Sequence, residues 1–272
     1  MTYWICRTCG VEQRPAEQPP QACPICSDER QYVLPSGPAW TSSSELVDAG
    51  HTLEVVEVEP GLWGFKPDPK VGIGQTALLA TGPGGNLLFD VPAFVTVEAV
   101  AAMSERGGVA AIMASHPHMY GSQVAWSHAL GGIPVYVAEK DLEWVQRTDE
   151  VITTWNDTFE VVPGVTAAQV GGHFRGQTIA HWTGADGKGV MFTGDACQTR
   201  ADGNVTFLRS YPNSIPLSPK GVTRIADTFA GFDYDRLYDN LGGTLPRDAK
   251  RIVQFSADRY IAWITGEHDD LI

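Results

Sequence analysis

Apolar and polar positions along this chain fall into short strand-like runs first separated by helix-like stretches and later by tight turns. Residues 53–58 alternate at period two and residues 75–80 run apolar, so both predict strands. A turn at 82–86 leads into 87–90, another apolar run, which closes on Asp90. Residues 96–106 have helical spacing, with Val97, Val100, Ala101 and Met103 as the expected inner face and Gly107-Gly108 as the stop. Buried strands are expected at 109–113 and 134–137, with helices at 124–130 and 141–147. From 158 onward the pattern becomes hairpins: 159–162, 165–170, 177–182 and 189–192, joined at Pro163-Gly164 and at Gly184-Ala185-Asp186-Gly187. Two helices, 219–229 and one within 249–264, follow, and the whole order predicts a layered α/β domain.

The first 34 residues do not share this pattern. Cys6 and Cys9 form one Cys-x-x-Cys knuckle and Cys23 and Cys26 a second, thirteen residues on, slightly closer than in the usual ribbon. Four thiolates so arranged suit a closed tetrahedral site: structural Zn2+, or iron held as in rubredoxin by the same ligand set. A module of this size cannot bury an adequate core, so the ion supplies folding energy. Two disulfides in a secreted domain fit poorly, since the N-terminus shows no export signal and only Cys197 is left over, as a small buried hydrophobe. Residues 35–49 are rich in turn formers and read as a linker to a main domain at 50–272, with Trp40 either docking the ribbon or simply buried.

Composition sharpens the picture in two ways. At 272 residues and 43% hydrophobic, the chain can bury one large core plus the small module. A net charge of −13 without any basic run argues against nucleic acid or an anionic membrane as partner. No apolar stretch approaches 18 or so residues, so a cytoplasmic protein acting on a small-molecule substrate is expected, with its oligomeric state unread.

Chemistry concentrates where strands end. His116 and His118 follow the run at 109–113, His173 sits in Gly172-His173-Phe174, and Asp195 follows Gly194 after the run at 189–192. Imidazoles and a carboxylate delivered by separate strand ends can converge on one first-row metal ion. His51, His128, His181 and His268 stand outside any such pattern.

The order of the strand closing on Asp90, the His116-x-His118 loop, the Gly172-His173 turn and the Gly194-Asp195 turn resembles the metallo-β-lactamase fold superfamily, over roughly residues 50–245. The resemblance implies a four-layer αββα sandwich. It further implies that His116, His118, His173 and Asp195 bind a metal, with Asp90 either orienting a histidine or capping a turn. The family pattern His-x-His-x-Asp-His is broken here: Tyr120 replaces the aspartate, Gly121 replaces the next histidine, and residues 238–243 hold no last histidine. Every ligand exclusive to a second metal is therefore missing, which implies a mononuclear site.

Such a site, with Zn2+ or Fe2+, fits a hydrolase of a small ester, thioester, lactone or amide, with Asp195 and Tyr120 as the catalytic candidates. Asp195 must then bind weakly, belong to a five-coordinate shell or act as general base, because a fourth tight ligand would saturate zinc. Tyr120 either donates to a substrate oxyanion or fills the volume of the lost metal. Two other readings are a non-haem iron dioxygenase of the persulfide dioxygenase type, using His116, His173 and Asp195, and a non-catalytic binding protein on a degenerate fold.

Overall fold

The computed structural model describes residues 1–272 and stacks two β-sheets face to face between outer helices, giving four layers. The first sheet begins as an antiparallel meander of Thr52–Glu59, Leu62–Asp68, Ala77–Ala80 and Leu87–Phe89. It continues with three parallel strands, Ala111–Met113, Val135–Ala138 and Ile152–Trp155. The second sheet runs antiparallel through Thr158–Val162, Val165–Gln169, Thr178–Trp182 and Val190–Phe192, then adds Arg236–Tyr238 in parallel and Thr244–Leu245 at its edge. Five helices complete the fold: α1 (Ser43–Asp48), α2 (Val97–Glu105), α3 (Gln123–Ala129), α4 (Pro219–Ala230) and α5 (Ala249–Ile264).

The central strands are apolar on both faces because each face meets a different core. Leu78, Leu87, Phe89, Ala111 and Met113 pack against Ala167, Ala180, Val190 and Phe192 between the sheets. Their neighbours Leu79, Leu88 and Ile112 point outward, to Ala99 and Met103 of α2 and Trp126 of α3. On the other side Ile179, Met191 and Leu237 meet Ile225 and Phe229 of α4 and Val253 of α5. A strand with period-two side chains can serve two cores only if nearly every position is apolar.

Two expectations change. In α2 the buried stripe is Ala99 and Met103, four residues apart, and Val97 and Ala101, expected on the inner face, are exposed because they lie off that stripe. Residues 35–49, expected as linker, are ordered: Trp40–Thr41 pairs antiparallel with Ile5–Cys6, and Ser42 starts α1 in a capping box with Glu45. The ribbon is therefore attached to the domain from its first strand. Its four cysteines, Val11 and Ile25 enter the same outer core as Phe65 and Leu79. No helix is long and apolar enough to cross a membrane.

Candidate metal centre

Three strand ends deliver the ligands. Beyond Ala111–Met113 the chain enters a one-turn 3-10 helix, Pro117–Met119, which Pro117 opens with a fixed φ and whose preceding residue is His116. His173 follows Val165–Gln169 across Gly171-Gly172, and Asp195 follows Val190–Phe192 across Gly194. Gly194 has φ +49°, and a Cβ there would lie 2.3 Å from that of Ser115, so only glycine lets the first and third strand ends meet this closely.

The side chains converge. One ligand atom from each of His116, His118, His173 and Asp195 lies within 4.8 Å of all the others. Asp195 Oδ2 is 3.5 Å from Nε2 of both His116 and His173, and His173 Nε2 is 3.1 Å from His118 Nδ1. Asp195 Oδ1 accepts from Gln198 Nε2 at 2.9 Å, which leaves Oδ2 facing the imidazoles.

Burial makes the histidines neutral. All three have their protonated forms disfavoured, first by desolvation and then by neighbouring imidazoles or Arg30, and His118 falls to about 3. The same burial pushes Asp195 up to about 6, opposed by the amides of Gln198 and Asn240. His116 is oriented from behind: its Nδ1 is 2.9 Å from Ser115 Oγ, which donates to Asp90 Oδ2 at 3.2 Å, while Ser115 N donates to Asp90 Oδ1 at 2.7 Å. With that hydroxyl donated to Asp90, His116 holds its proton on Nδ1 and presents a bare Nε2. That nitrogen is buried and has no hydrogen-bond partner, a state that costs about 1–3 kcal/mol unless a cation accepts the lone pair. The donor set thus fits one first-row metal ion.

Asp90 reaches the histidine through Ser115. Ser115→Ala is expected to weaken metal affinity about 10- to 100-fold, measured by competition with a chromogenic chelator. An unchanged affinity would mean that packing alone orients His116.

The second-metal positions are closed at the level of backbone. Gly121 has φ +47°, and a Cβ there would approach the carbonyl oxygens of Val91 and Pro92 to 2.6 and 2.7 Å, so a histidine cannot simply be restored. Tyr120 is buried, and its hydroxyl donates to the Asp141 carbonyl at 3.3 Å. That buried position and hydroxyl partner suit the filler role of the two expected for it. Tyr120→Phe is expected to cost about 0.5–1.5 kcal/mol in denaturant unfolding and to leave metal content unchanged.

Three neighbours of the site escaped the sequence reading. Gln198 and Asn240 flank Asp195, Asn240 lying in the 238–243 stretch where a last histidine was sought. The third is Arg30, from the ribbon. Asp28 holds its guanidinium with contacts of 2.5 and 2.9 Å, and it lies 3.7 Å over the Phe174 ring with Nη1 3.4 Å from the His173 carbonyl. Phe174 in turn stacks on His116 at 5.6 Å between centroids, so the ribbon forms one wall of the metal centre. By contrast Phe65 and Trp126 are core residues and Trp63 lies under Arg106. Phe65 and Trp63 belong to a strand, Leu62–Asp68, whose pattern Gly64 and Pro67 interrupt.

In the ribbon, Cys6, Cys9, Cys23 and Cys26 are all buried and unbridged. Sγ separations of 3.7 Å for Cys6 and Cys26 and 3.8 Å for Cys9 and Cys23 match the edge, about 3.8 Å, of a tetrahedron with metal–sulfur bonds of about 2.3 Å. They are far beyond the roughly 2 Å of a disulfide.

No protein-family model matches the sequence. The chain is 39% identical over 271 residues to the uncharacterized protein YmaE of Bacillus subtilis (strain 168), covering 98% of each protein. Solved metallo-β-lactamases share the fold at low identity. TMB-1 superposes with a TM-score of 0.59 at 13% identity, covering 76% of this chain and 98% of its own. VMB-1 superposes with 0.58 at 14%, covering 78% and 98%. FIM-1 from Pseudomonas aeruginosa, in its mono-zinc form, superposes with 0.56 at 14%, covering 76% and 96%.

Proposed function

Given that the chain belongs to the family of B. subtilis YmaE and has the metallo-β-lactamase fold, we propose that it is a mononuclear metal-dependent hydrolase of a small ester, thioester, lactone or amide. The observation that carries this reading is the convergence of three neutral imidazoles and one carboxylate, with a bare, buried His116 Nε2 among them.

A metal ion bound there supplies a Lewis acid and lowers the pKa of water toward about 7. The chain's own residues do the rest. His116, His118 and His173 hold the ion from two loops fixed to different sheets, which sets its position without flexible linkers. Gln198 fixes one oxygen of Asp195, so the carboxylate has a single free oxygen, Oδ2, at which to accept the proton of the attacking water and return it to the leaving group. Phe174 and Arg30 shield the imidazoles from solvent on the ribbon side, which strengthens every charge interaction inside.

One observation favours a second reading. His116 and His173 lie equally, at 3.5 Å, from Asp195 Oδ2, a two-histidine, one-carboxylate face of the kind iron oxygenases use. Elemental analysis of protein purified without added metal, with an ester and thioester panel and an oxygen electrode, separates the two. About two transition-metal ions per chain with hydrolysis are expected; iron in the main site with oxygen uptake and no hydrolysis would replace the hydrolase reading.

A further inference from the structure

On the far side of the turn that carries His173 lies a cavity of about 580 Å³, within the range of small-molecule sites. Gly171, Gly172, Phe174 and Arg175 of that turn form one side and the start of α4 the other. Five cationic side chains line it, Lys140, Arg175, Arg209, Lys220 and Arg224, and none of its thirteen lining residues is acidic, in a chain with net charge −13.

The cations are not consumed by the fold. Arg209 alone has a carboxylate partner, Glu29 at 2.6 Å; Lys140, Arg175, Lys220 and Arg224 form no ion pair. Arg224 is anchored by one nitrogen only. Its Nε donates to the Val170 carbonyl at 2.9 Å and its Nη2 passes over Gly171, where a Cβ would come within 3.0 Å. Like charges gathered in a concave surface repel one another and focus a positive field, a cost relieved when an anion enters. Guanidinium groups match phosphate and carboxylate oxygens two at a time.

We propose that this cavity binds a small molecule bearing two or more clustered oxyanion groups, phosphate or carboxylate, through Lys140, Arg175, Lys220 and Arg224. The site is separate from the metal ligands and stands whether or not the metal centre is hydrolytic. Because the turn 171–175 is shared, its ligand rests against the backbone that positions His173.

Calorimetric titration of the full chain with fructose 1,6-bisphosphate and with tricarballylate tests this. At least one probe is expected to bind at one per chain, the tighter of the two identifying phosphate or carboxylate as the recognised group. The double variant Lys140→Glu/Lys220→Glu, at exposed positions, is expected to weaken binding at least tenfold, and Lys140→Gln/Lys220→Gln by less. Lys66→Glu/Lys70→Glu changes net charge equally on a distant strand and loop and is expected to leave binding as it was. Absence of heat with both probes, or equal weakening in the two Glu pairs, overturns the assignment.

Discussion

Cys23→Ser is expected to destabilise the whole protein, not only the 34-residue module that contains it. A structural zinc site contributes on the order of 10–16 kcal/mol at neutral pH, comparable with the 5–15 kcal/mol that holds a typical domain together. Here the four cysteines are also part of the outer core, the same cluster that holds the residues of the first sheet facing α2 and α3. Losing the ion uncovers that sheet face, frees the strand Ile5–Cys6 from Trp40–Thr41, and releases Arg30 from the wall of the metal centre. The expected result is a fall of more than about 10 °C in melting temperature, or insoluble protein, together with loss of one ion from the elemental count. Near-UV circular dichroism reports the same event through Trp126 and Phe65, buried in the core that the four cysteines share. A variant that loses the ion yet melts with the wild type would show that the ribbon is an appendage.

That attachment marks the limit of what the residue pattern displayed. The αββα layers were legible because strands serving two cores must be apolar throughout, and because helix α4 has a clear start at Ser218-Pro219. The candidate metal ligands were legible because each follows a strand end, His173 and Asp195 across glycine turns. What the pattern hid depends on contacts between distant segments. Ser42 and Glu45 formed a capping box in plain sight, yet the surrounding Pro and Ser suggested a linker. Nothing about Arg30 marks it as a neighbour of His173, 143 positions away; only the docking of the ribbon brings it there. The partner of Tyr120, the Asp141 carbonyl, lies twenty-one positions away, and the cationic cavity draws on four separate segments, none of them a basic run.

His116→Ala is expected to have the opposite profile: chemistry lost, fold kept. The side chain is one of three candidate nitrogen donors and is the one braced by Ser115 and Asp90, so its removal takes away the donor held from behind and one of the two imidazoles that face Asp195 Oδ2. Hydrolysis is expected to fall at least about a thousandfold, some 4 kcal/mol of transition-state stabilisation. Stability changes less. An ion that binds only the folded state contributes according to its concentration over its dissociation constant, a few kcal/mol at 100 to 1,000 times that constant. Against that loss, the variant relieves two buried polar nitrogens of their desolvation cost. Elemental analysis is expected to show the main-site ion gone and the ribbon ion retained, the reverse of Cys23→Ser. The two variants therefore divide the metal content between two sites by independent means. If His116→Ala loses its ion and still turns over within threefold of the wild type, the reaction does not run through this centre, and the convergence of His116, His118, His173 and Asp195 is structural.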